Sequence, residues 1–311
     1  MNYLLYQAYG NKANINEAKF SILSFLKVSS PATTTSTYIV IYTDQPEQFN
    51  LFHEIKTIII QHITKEILTN WFGPMGFVHR AKIKIIEDFF SKYPLSNLIY
   101  TDTDTYFIAD PSSIFADIAS GNLFLHQFEG VADSAKSNSL KGPLGKKTHK
   151  LIKQHTFILP GDNKIIIPES LELWNAGAIG INSSYAQFIP EIEALTDEIY
   201  KISKIHIVEQ IAFCYFLQTR QKLKGLTETI FHYWNFKELR PELERFFDNN
   251  KNEPLEKLIN HSTMALNPVR LIKPKMAYEK LPGWRRAIRK LFVKGRWDRS
   301  ELAAAGQYII N

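Results

Sequence analysis

Short runs of β-branched and aromatic residues alternate with longer amphipathic stretches along the first two thirds of the chain. Four such runs, at residues 3–8, 38–42, 55–60 and 97–100, predict strands. Between the last two, Ile83, Ile86 and Phe89 recur at helical spacing within residues 79–93. Strands that alternate with helices favour parallel pairing through right-handed helical crossovers, so the predicted fold class is α/β.

The same pattern predicts further elements downstream. Strands are expected at residues 122–126, at 176–181 and near 227–232, and helices at 185–203 and 207–218. Asn14 and Glu17 resemble a capping box that opens a helix toward Leu26. Residues 130–150 are rich in Ser, Lys and Gly, which predicts a mobile surface loop that could act as a lid.

The length and composition of the chain indicate the size of the domain and the cellular compartment. The chain has 311 residues, 45% hydrophobic and 22% charged, which is enough apolar side chain for one large globular domain. The single cysteine, Cys214, lies in an apolar run, so we expect a core residue in a reduced compartment. No charged leader opens the chain, and we expect a cytoplasmic protein, either free or peripheral on the inner face of the membrane.

Two carboxylates follow the strand predicted at residues 97–100. Asp102 and Asp104 are two positions apart, and in extended backbone side chains at that spacing point to the same side. Ligands of open α/β sheets bind beyond the carboxyl ends of the strands. The pair therefore predicts a site for Mg²⁺ or Mn²⁺, which completes its coordination with diphosphate oxygens and water.

Two segments carry a resemblance to a known family. Residues 98–105, with the sequence LIYTDTDT, and residues 174–182, with the sequence WNAGAIGIN, resemble GT-A glycosyltransferases, especially those of the family-eight type. Glu209-Gln210 matches the acidic-Gln pair that follows in that family. The resemblance extends weakly over residues 3–237 and implies a GT-A, Rossmann-like sheet that is mixed, mostly parallel and flanked by helices.

The resemblance also implies an activity and the residues that perform it. The activity is metal-dependent transfer of a sugar from a UDP- or GDP-sugar donor to a glycan or lipid-linked acceptor. The implied roles are catalytic for Glu209, Gln210 and Asn175, donor-binding for Asp102, Thr103, Gly177 and Lys237, and metal-binding for Asp102, Asp104 and His232. The segment 232–238 departs from the family, which usually has glycine after the histidine and a Lys-Pro-Trp ending.

Five further residues are candidates for the donor nucleotide because of their places in the predicted fold. Gln7 and Tyr9 follow the first strand, where this fold holds the base, and Asp44 ends the second strand. Arg80 and Lys84 lie one helical turn apart and could contact phosphate.

The positive charge is concentrated near the C-terminus. Residues 270–299 contain eleven Lys and Arg and two acidic residues, a net charge of +9, which leaves −3 for the rest of a chain whose total is +6. The division this suggests is a catalytic domain at 1–267 and a basic helical extension at 268–311. Trp284, Ile288, Leu291 and Phe292 share one helical stripe beside several arginines. Such a helix either lies on an anionic membrane or docks on the domain, and no nucleic-acid motif accompanies it.

Two other functional classes compete with sugar transfer. A haloacid-dehalogenase-type phosphohydrolase also uses a D-x-D motif, but on its first strand, whereas here three strands come first and Tyr106 occupies the Thr or Val position. The other is a non-catalytic module that binds carbohydrate or a membrane surface through the same fold. The intact Asp102, Asp104 and Asn175 argue against this second alternative.

Overall fold

The computed structural model describes residues 1–136, 138–292 and 296–310, and for residues 290–292 the backbone only. Within these ranges the strands are β1 (Asn2–Gln7), β2 (Thr37–Thr43), β3 (Ile58–His62), β4 (Asn97–Thr101), β5 (Thr105–Phe107), β6 (Phe124–Val131), β7 (Phe157–Leu159), β8 (Asn163–Ile165), β9 (Glu172–Asn182), β10 (Lys224–Gly225) and β11 (Ile230–His232). The helices are α1 (Lys12–Val28), α2 (Pro31–Ser36), α3 (Lys65–Phe72), α4 (Arg80–Lys92), α5 (Ser112–Ala119), α6 (Gly142–Gln154), α7 (Ile189–Ile202), α8 (Val208–Gln218), α9 (Arg240–Asn249), α10 (Leu255–Ala265), α11 (Pro268–Leu271), α12 (Lys273–Glu279), α13 (Gly283–Phe292) and α14 (Ser300–Gly306).

Seven strands form the central sheet in the order β10-β6-β9-β4-β1-β2-β3. Four of its six pairings are parallel, and only β9 runs antiparallel to both of its neighbours. The predicted fold class is confirmed, since the sheet is mixed, mostly parallel and flanked by helices. Because β9 is reversed, its first residues lie at the edge where β1, β4 and β6 end.

Side chains alternate between the two faces of the sheet and fill two separate cores. Along β1, Tyr3 and Leu5 belong to one buried cluster, and Leu4 and Tyr6 belong to the other. Helices α4, α7 and α8 cover the first face, and α1, α5, α9 and α10 cover the second. Cys214 is fully buried on α8, as its apolar surroundings predicted.

The N-terminal cap of α1 differs from the sequence prediction. Asn11 caps the helix, because its side chain accepts a hydrogen bond from the backbone N–H of Asn14 at 2.9 Å. The helix thus begins one turn earlier than Asn14, directly after a turn at Gly10, whose φ is +87°. Glu17 has no capping role, since it is fully buried and its carboxylate accepts two 2.9 Å hydrogen bonds from Arg240.

The prediction of a loop across residues 130–150 was wrong over its second half. Helix α6 begins at Gly142 with Pro143 in its first turn, a position where proline's missing N–H costs no hydrogen bond. Leu151 and Ile152 are buried and anchor the helix in the first core. The many lysines of this helix made its apolar side difficult to recognise in the sequence, because they occupy the solvent-facing side of the same helix.

The C-terminal segment packs on the rest of the chain at several points. Trp297, Leu302 and Ile310 are buried in the second core, and α14 packs against α9. The boundary at residue 267 stays a prediction. Among the described residues, no helix combines the length and the apolar character needed to cross a bilayer.

Candidate active site

Pairing between β5 and β11 brings the second carboxylate to the histidine. Thr105 lies opposite His232 in this antiparallel pair, and the backbone N–H of Tyr233 donates to the carbonyl of Asp104 at 2.9 Å. His232 Nε2 is then 3.0 Å from Asp104 Oδ1. Asp102 is fixed on the other side, where its backbone N–H donates to the carbonyl of Gly177 on β9 at 2.7 Å. Residues far apart in sequence therefore meet at one sheet edge.

Asp102, Asp104 and His232 form a set of donors suited to a divalent cation. Their ligand atoms all lie within 4.8 Å of one another. Two carboxylates and an imidazole suit Mn²⁺, and a metal of this kind keeps open positions for water or phosphate oxygens. The residues present therefore fit the Mn²⁺ or Mg²⁺ that the sequence predicted.

Lysines balance both carboxylates. The Lys237 ammonium donates to Asp104 Oδ2, and Lys82 Nζ lies 3.2 Å from Asp102 Oδ1. Burial raises the pKa of the Asp104 carboxyl, but hydrogen bonds from His232 and Lys237 outweigh it and hold that pKa well below its usual range. Asp104 is therefore an ionised ligand throughout the physiological range.

Lys82 is the functional candidate that sequence reasoning missed. Its side chain is 3% exposed, its ammonium donates to the carbonyl of Ala176 at 3.0 Å, and Glu209 Oε1 lies 3.8 Å away. Burial lowers the pKa of Lys82, but the charges of Asp102 and Glu209 outweigh it, so the lysine stays protonated. The sequence does contain a pattern that could have identified this lysine. Residue 82 lies one turn before Ile86 on the apolar face of α4, where a lysine is unexpected.

Asn175 orients the histidine. Its Oδ1 accepts a hydrogen bond from the backbone N–H of Gly177 at 2.9 Å and lies 2.9 Å from His232 Nδ1. Because that oxygen is an acceptor, Nδ1 carries a proton toward it, and the ring is held with Nε2 facing Asp104. Asn175 is thus a positioning residue for His232, a role that the resemblance did not imply.

Glu209 and Gln210 lie at the first turn of α8, and both are 5% exposed. Gln210 Nε2 donates to Glu129 Oε2 at 2.9 Å, and Glu129 Oε1 accepts from Asn175 Nδ2 at 3.2 Å. Glu129 is the unpaired residue in an irregularity of the pairing between β6 and β9, a feature that can aim a side chain at a site. Glu209 Oε2 is buried without a hydrogen-bond partner in the structure, as expected of an acceptor that faces a ligand.

One cavity of about 370 Å³ gathers these groups. Eight predicted site residues line it: Asp102, Asp104, Asn175, Gly177, Glu209, Gln210, His232 and Lys237. The sequence did not predict several others: His79, Lys82, Glu129, Leu140, Leu144, His206, Ile207 and Trp234. Leu140 and Leu144 flank the start of α6, so the segment predicted to be a lid does border the cavity.

The remaining six predicted donor contacts lie outside the lining of this cavity. Arg80 is paired with Glu193 and Asp197 of α7, and Lys84 is paired with Glu193 and Glu87. Arg80 and Lys84 lie one turn apart and both face α7, whereas Lys82 faces the cavity. Their contact with phosphate stays a prediction. The contacts of Thr103 do not support its predicted role in donor binding. The side-chain oxygen Oε1 of Gln7 is buried and has no hydrogen-bond partner in the structure.

Asp44 and Tyr9 lie near one another beside the metal position. The Asp44 carboxylate accepts hydrogen bonds from the backbone N–H of Gly10 at 3.1 and 3.2 Å, so it fixes the turn that holds Tyr9. Burial, and then the charges of Asp102 and Asp44, raise the pKa of the Tyr9 phenol. Tyr9 is thus a neutral ring close to the carboxylates, and its contact with a base stays a prediction.

Gly177→Ala is expected to disturb the site by steric overlap. A Cβ at this position would lie 2.2 Å from Cε1 and Nδ1 of the His232 ring, so the ring has to move. We expect a loss of about 1–3 kcal/mol in the free energy of unfolding and weaker stabilisation by Mn²⁺, both measured by urea unfolding.

Gly225→Ala is the matched control, because its Cβ would find ordinary contacts at 3.6 Å. Equal effects of the two alanines would contradict the close packing of Gly177 against His232.

Comparison with known proteins was made at the level of sequence and of structure. No protein-family model matches the sequence, and no curated protein matches it. The structure is similar to the apo structure of WbbM, a bifunctional glycosyltransferase, with 16% identity and a TM-score of 0.49, over 72% of this chain and 38% of WbbM. This chain therefore spans well under two thirds of WbbM's length.

Two other glycosyltransferases are also similar. Mouse xyloside xylosyltransferase 1 has 12% identity and a TM-score of 0.45, over 73% of this chain and 85% of its own. GlyE of Streptococcus pneumoniae TIGR4 has 12% identity and a TM-score of 0.41, over 73% of this chain and 46% of its own.

Proposed function

We propose that this protein is a metal-dependent glycosyltransferase that transfers a sugar from a UDP- or GDP-sugar to a glycan or lipid-linked acceptor. One observation carries the proposal. Asp102, Asp104 and His232 converge at the carboxyl edge of the sheet, in the same cavity as Glu209, Gln210 and Asn175. A cation at the first group would neutralise the charge that builds on a departing nucleoside diphosphate.

The two lysines have different parts in this proposal because they differ in burial. Lys237 is 46% exposed and can leave Asp104 to contact a phosphate oxygen. Lys82 is enclosed, and it holds Asp102 and Glu209 in place as a fixed counter-charge. The base of the donor is proposed to lie near Tyr9 and Asp44, beyond the ends of β1 and β2.

Glu209 is the group proposed to face the reacting sugar carbon. Its unpartnered Oε2 can accept a hydrogen bond from a sugar or acceptor hydroxyl, and an inverting reaction would use it as the general base. A retaining reaction would instead use the pair Glu209 and Gln210 to assist displacement on one face. The stereochemistry of the product distinguishes the two.

A panel of UDP- and GDP-sugars with and without Mn²⁺ tests the proposal by thermal unfolding. The correct donor is expected to raise the melting temperature by several degrees only when the metal is present. A ligand at about a hundred times its dissociation constant contributes about 2.7 kcal/mol. The same mixtures are then assayed for slow release of free sugar.

Two outcomes would overturn the proposal. Hydrolysis of a simple phosphate ester without any nucleotide would favour the phosphohydrolase class. Failure of every nucleoside diphosphate to stabilise the protein with Mn²⁺ would favour a non-catalytic binding module.

A further inference from the structure

Helix α13 exposes the apolar side chains that an ordinary surface helix would bury. Trp284 is 61% exposed and Ile288 is 47% exposed, and they lie one turn apart on the same side of the helix. Nearby aromatic residues behave differently, since Tyr278 and Trp297 are only 6% and 5% exposed. Tyr278 and Trp297 therefore contribute to the local core, whereas the side of α13 that carries Trp284 and Ile288 lies outside that core.

Three other residues of α13 border a cleft, and all three are exposed as well. Gly283, Arg286 and Ala287 of α13 line a cleft of about 580 Å³. Its other walls come from residues of the preceding and following segments: Glu238, Lys275, Tyr278, Glu279, Arg296 and Trp297. An amphipathic helix docked on its own domain turns its apolar stripe inward. In α13 the apolar pair Trp284 and Ile288 is exposed, and so are the three residues that border the cleft.

Cationic groups flank the exposed apolar pair. Arg285 is exposed next to Ile288, and its guanidinium lies 5.0 Å from the centre of the Trp284 ring. On the preceding helix α12, Met276 is 43% exposed, with Lys273 and Lys280 exposed one turn to either side. The whole segment 270–299 carries a net charge of +9. We call Trp284, Arg285 and Ile288 the α13 face.

We propose that the α13 face is a docking surface for an anionic lipid bilayer. Trp284 and Ile288 enter the boundary between headgroups and acyl chains, and Arg285 remains among the lipid phosphates. The combination of exposed apolar and cationic side chains favours an anionic bilayer as the partner. A bilayer surface accepts apolar side chains and cations side by side, whereas a second copy of the chain would bring an equal positive charge against the first.

Helix α12, which precedes α13, is tied to the segment next to the candidate active site. The Lys275 ammonium of α12 donates to the carbonyl of Asn235 and lies 2.9 Å from Glu238 Oε2, so α12 is tied to the segment that carries Lys237. The docking itself does not depend on the proposed sugar transfer, and its test needs neither donor nor metal.

Vesicle co-sedimentation of the full-length chain tests the proposal. The protein is mixed with phosphatidylcholine vesicles, with or without phosphatidylglycerol, at low and high salt. We expect sedimentation only with the anionic lipid, weakened by salt because the charges are exposed. Ile288→Glu and Arg285→Glu are each expected to lower the apparent affinity about tenfold or more, by charging the apolar side or reversing a cation.

Two matched controls change the same chemistry elsewhere on the surface. Leu95→Glu adds a carboxylate at a leucine that is 84% exposed, and Lys251→Glu reverses an exposed lysine. Both are expected to bind as the parent chain does. Thermal unfolding checks that all four variants remain folded.

Three results would overturn the proposal. The first is that the protein sediments equally with vesicles that contain phosphatidylglycerol and with vesicles that lack it, or that it sediments with neither. The second is unchanged binding by Ile288→Glu, which would show that the apolar pair does not enter the bilayer. The third is an equal loss in a variant and its control, which would assign binding to net charge alone.

Discussion

Asp104→Asn is expected to lower metal-dependent turnover of the nucleotide sugar by about a thousandfold or more, since several kcal/mol of charge stabilisation depend on the cation. The amide has nearly the same shape but no negative charge, so it keeps the packing around His232 and loses the ligand. The measurement is sugar release with Mn²⁺ under saturating donor. Melting temperature is followed in parallel, and it is expected to lose its response to Mn²⁺.

The control for this prediction is Asp117→Asn. Asp117 is an exposed carboxylate on α5 that pairs with Lys224, at 2.9 Å. It should retain full activity. Substantial activity in Asp104→Asn would remove Asp104 from the metal site and with it the main support for the proposed chemistry.

Lys82→Met is expected to destabilise the protein by about 3 kcal/mol or more, because it leaves buried carboxylates without their counter-charge. Lys82 is enclosed between Asp102 and Glu209, and methionine fills its volume without its charge. The measurement is the free energy of unfolding from urea titration. Activity should fall as well, since Asp102 loses the group that orients it.

Lys84→Met is the matched control on the same helix. Lys84 is 23% exposed and pairs with Glu87 and Glu193 near the surface, so its removal should cost about 1 kcal/mol or less. Adding Glu209→Gln to Lys82→Met should restore part of the stability, because one buried charge is removed with its partner. A double variant no more stable than Lys82→Met would show that Glu209 does not depend on this lysine.

The two carboxylates of the candidate metal site were predictable because the rules that place them are local. A run of apolar residues predicts β4, and two aspartates at alternate positions beyond it share a side of the extended chain. The sheet rule then places them at the carboxyl edge. Asp102 and Asp104 follow from these steps alone, and so does the α/β class of the fold.

The other parts of the site depend on contacts that no local pattern records. His232 meets Asp104 only because β11 pairs with β5, and the resemblance rather than the spacing pointed to it. Lys82 was missed because a lysine in an amphipathic helix is normally assigned to the solvent-facing side. Only its place on the apolar side of α4 indicates that it is buried. Helix α6 was hidden by its lysines, and Glu129 by the irregular pairing that aims it inward.

The reversed strand β9 has a consequence for how this protein can change during evolution. It contributes Asn175 and Gly177 through its alternation of sides, and a slip by one position would send the whole strand's inward residues outward. Relatives should therefore differ by substitution within residues 172–182 and keep its length constant. Insertions and deletions should collect in the connections on either side, where they leave the chemistry intact.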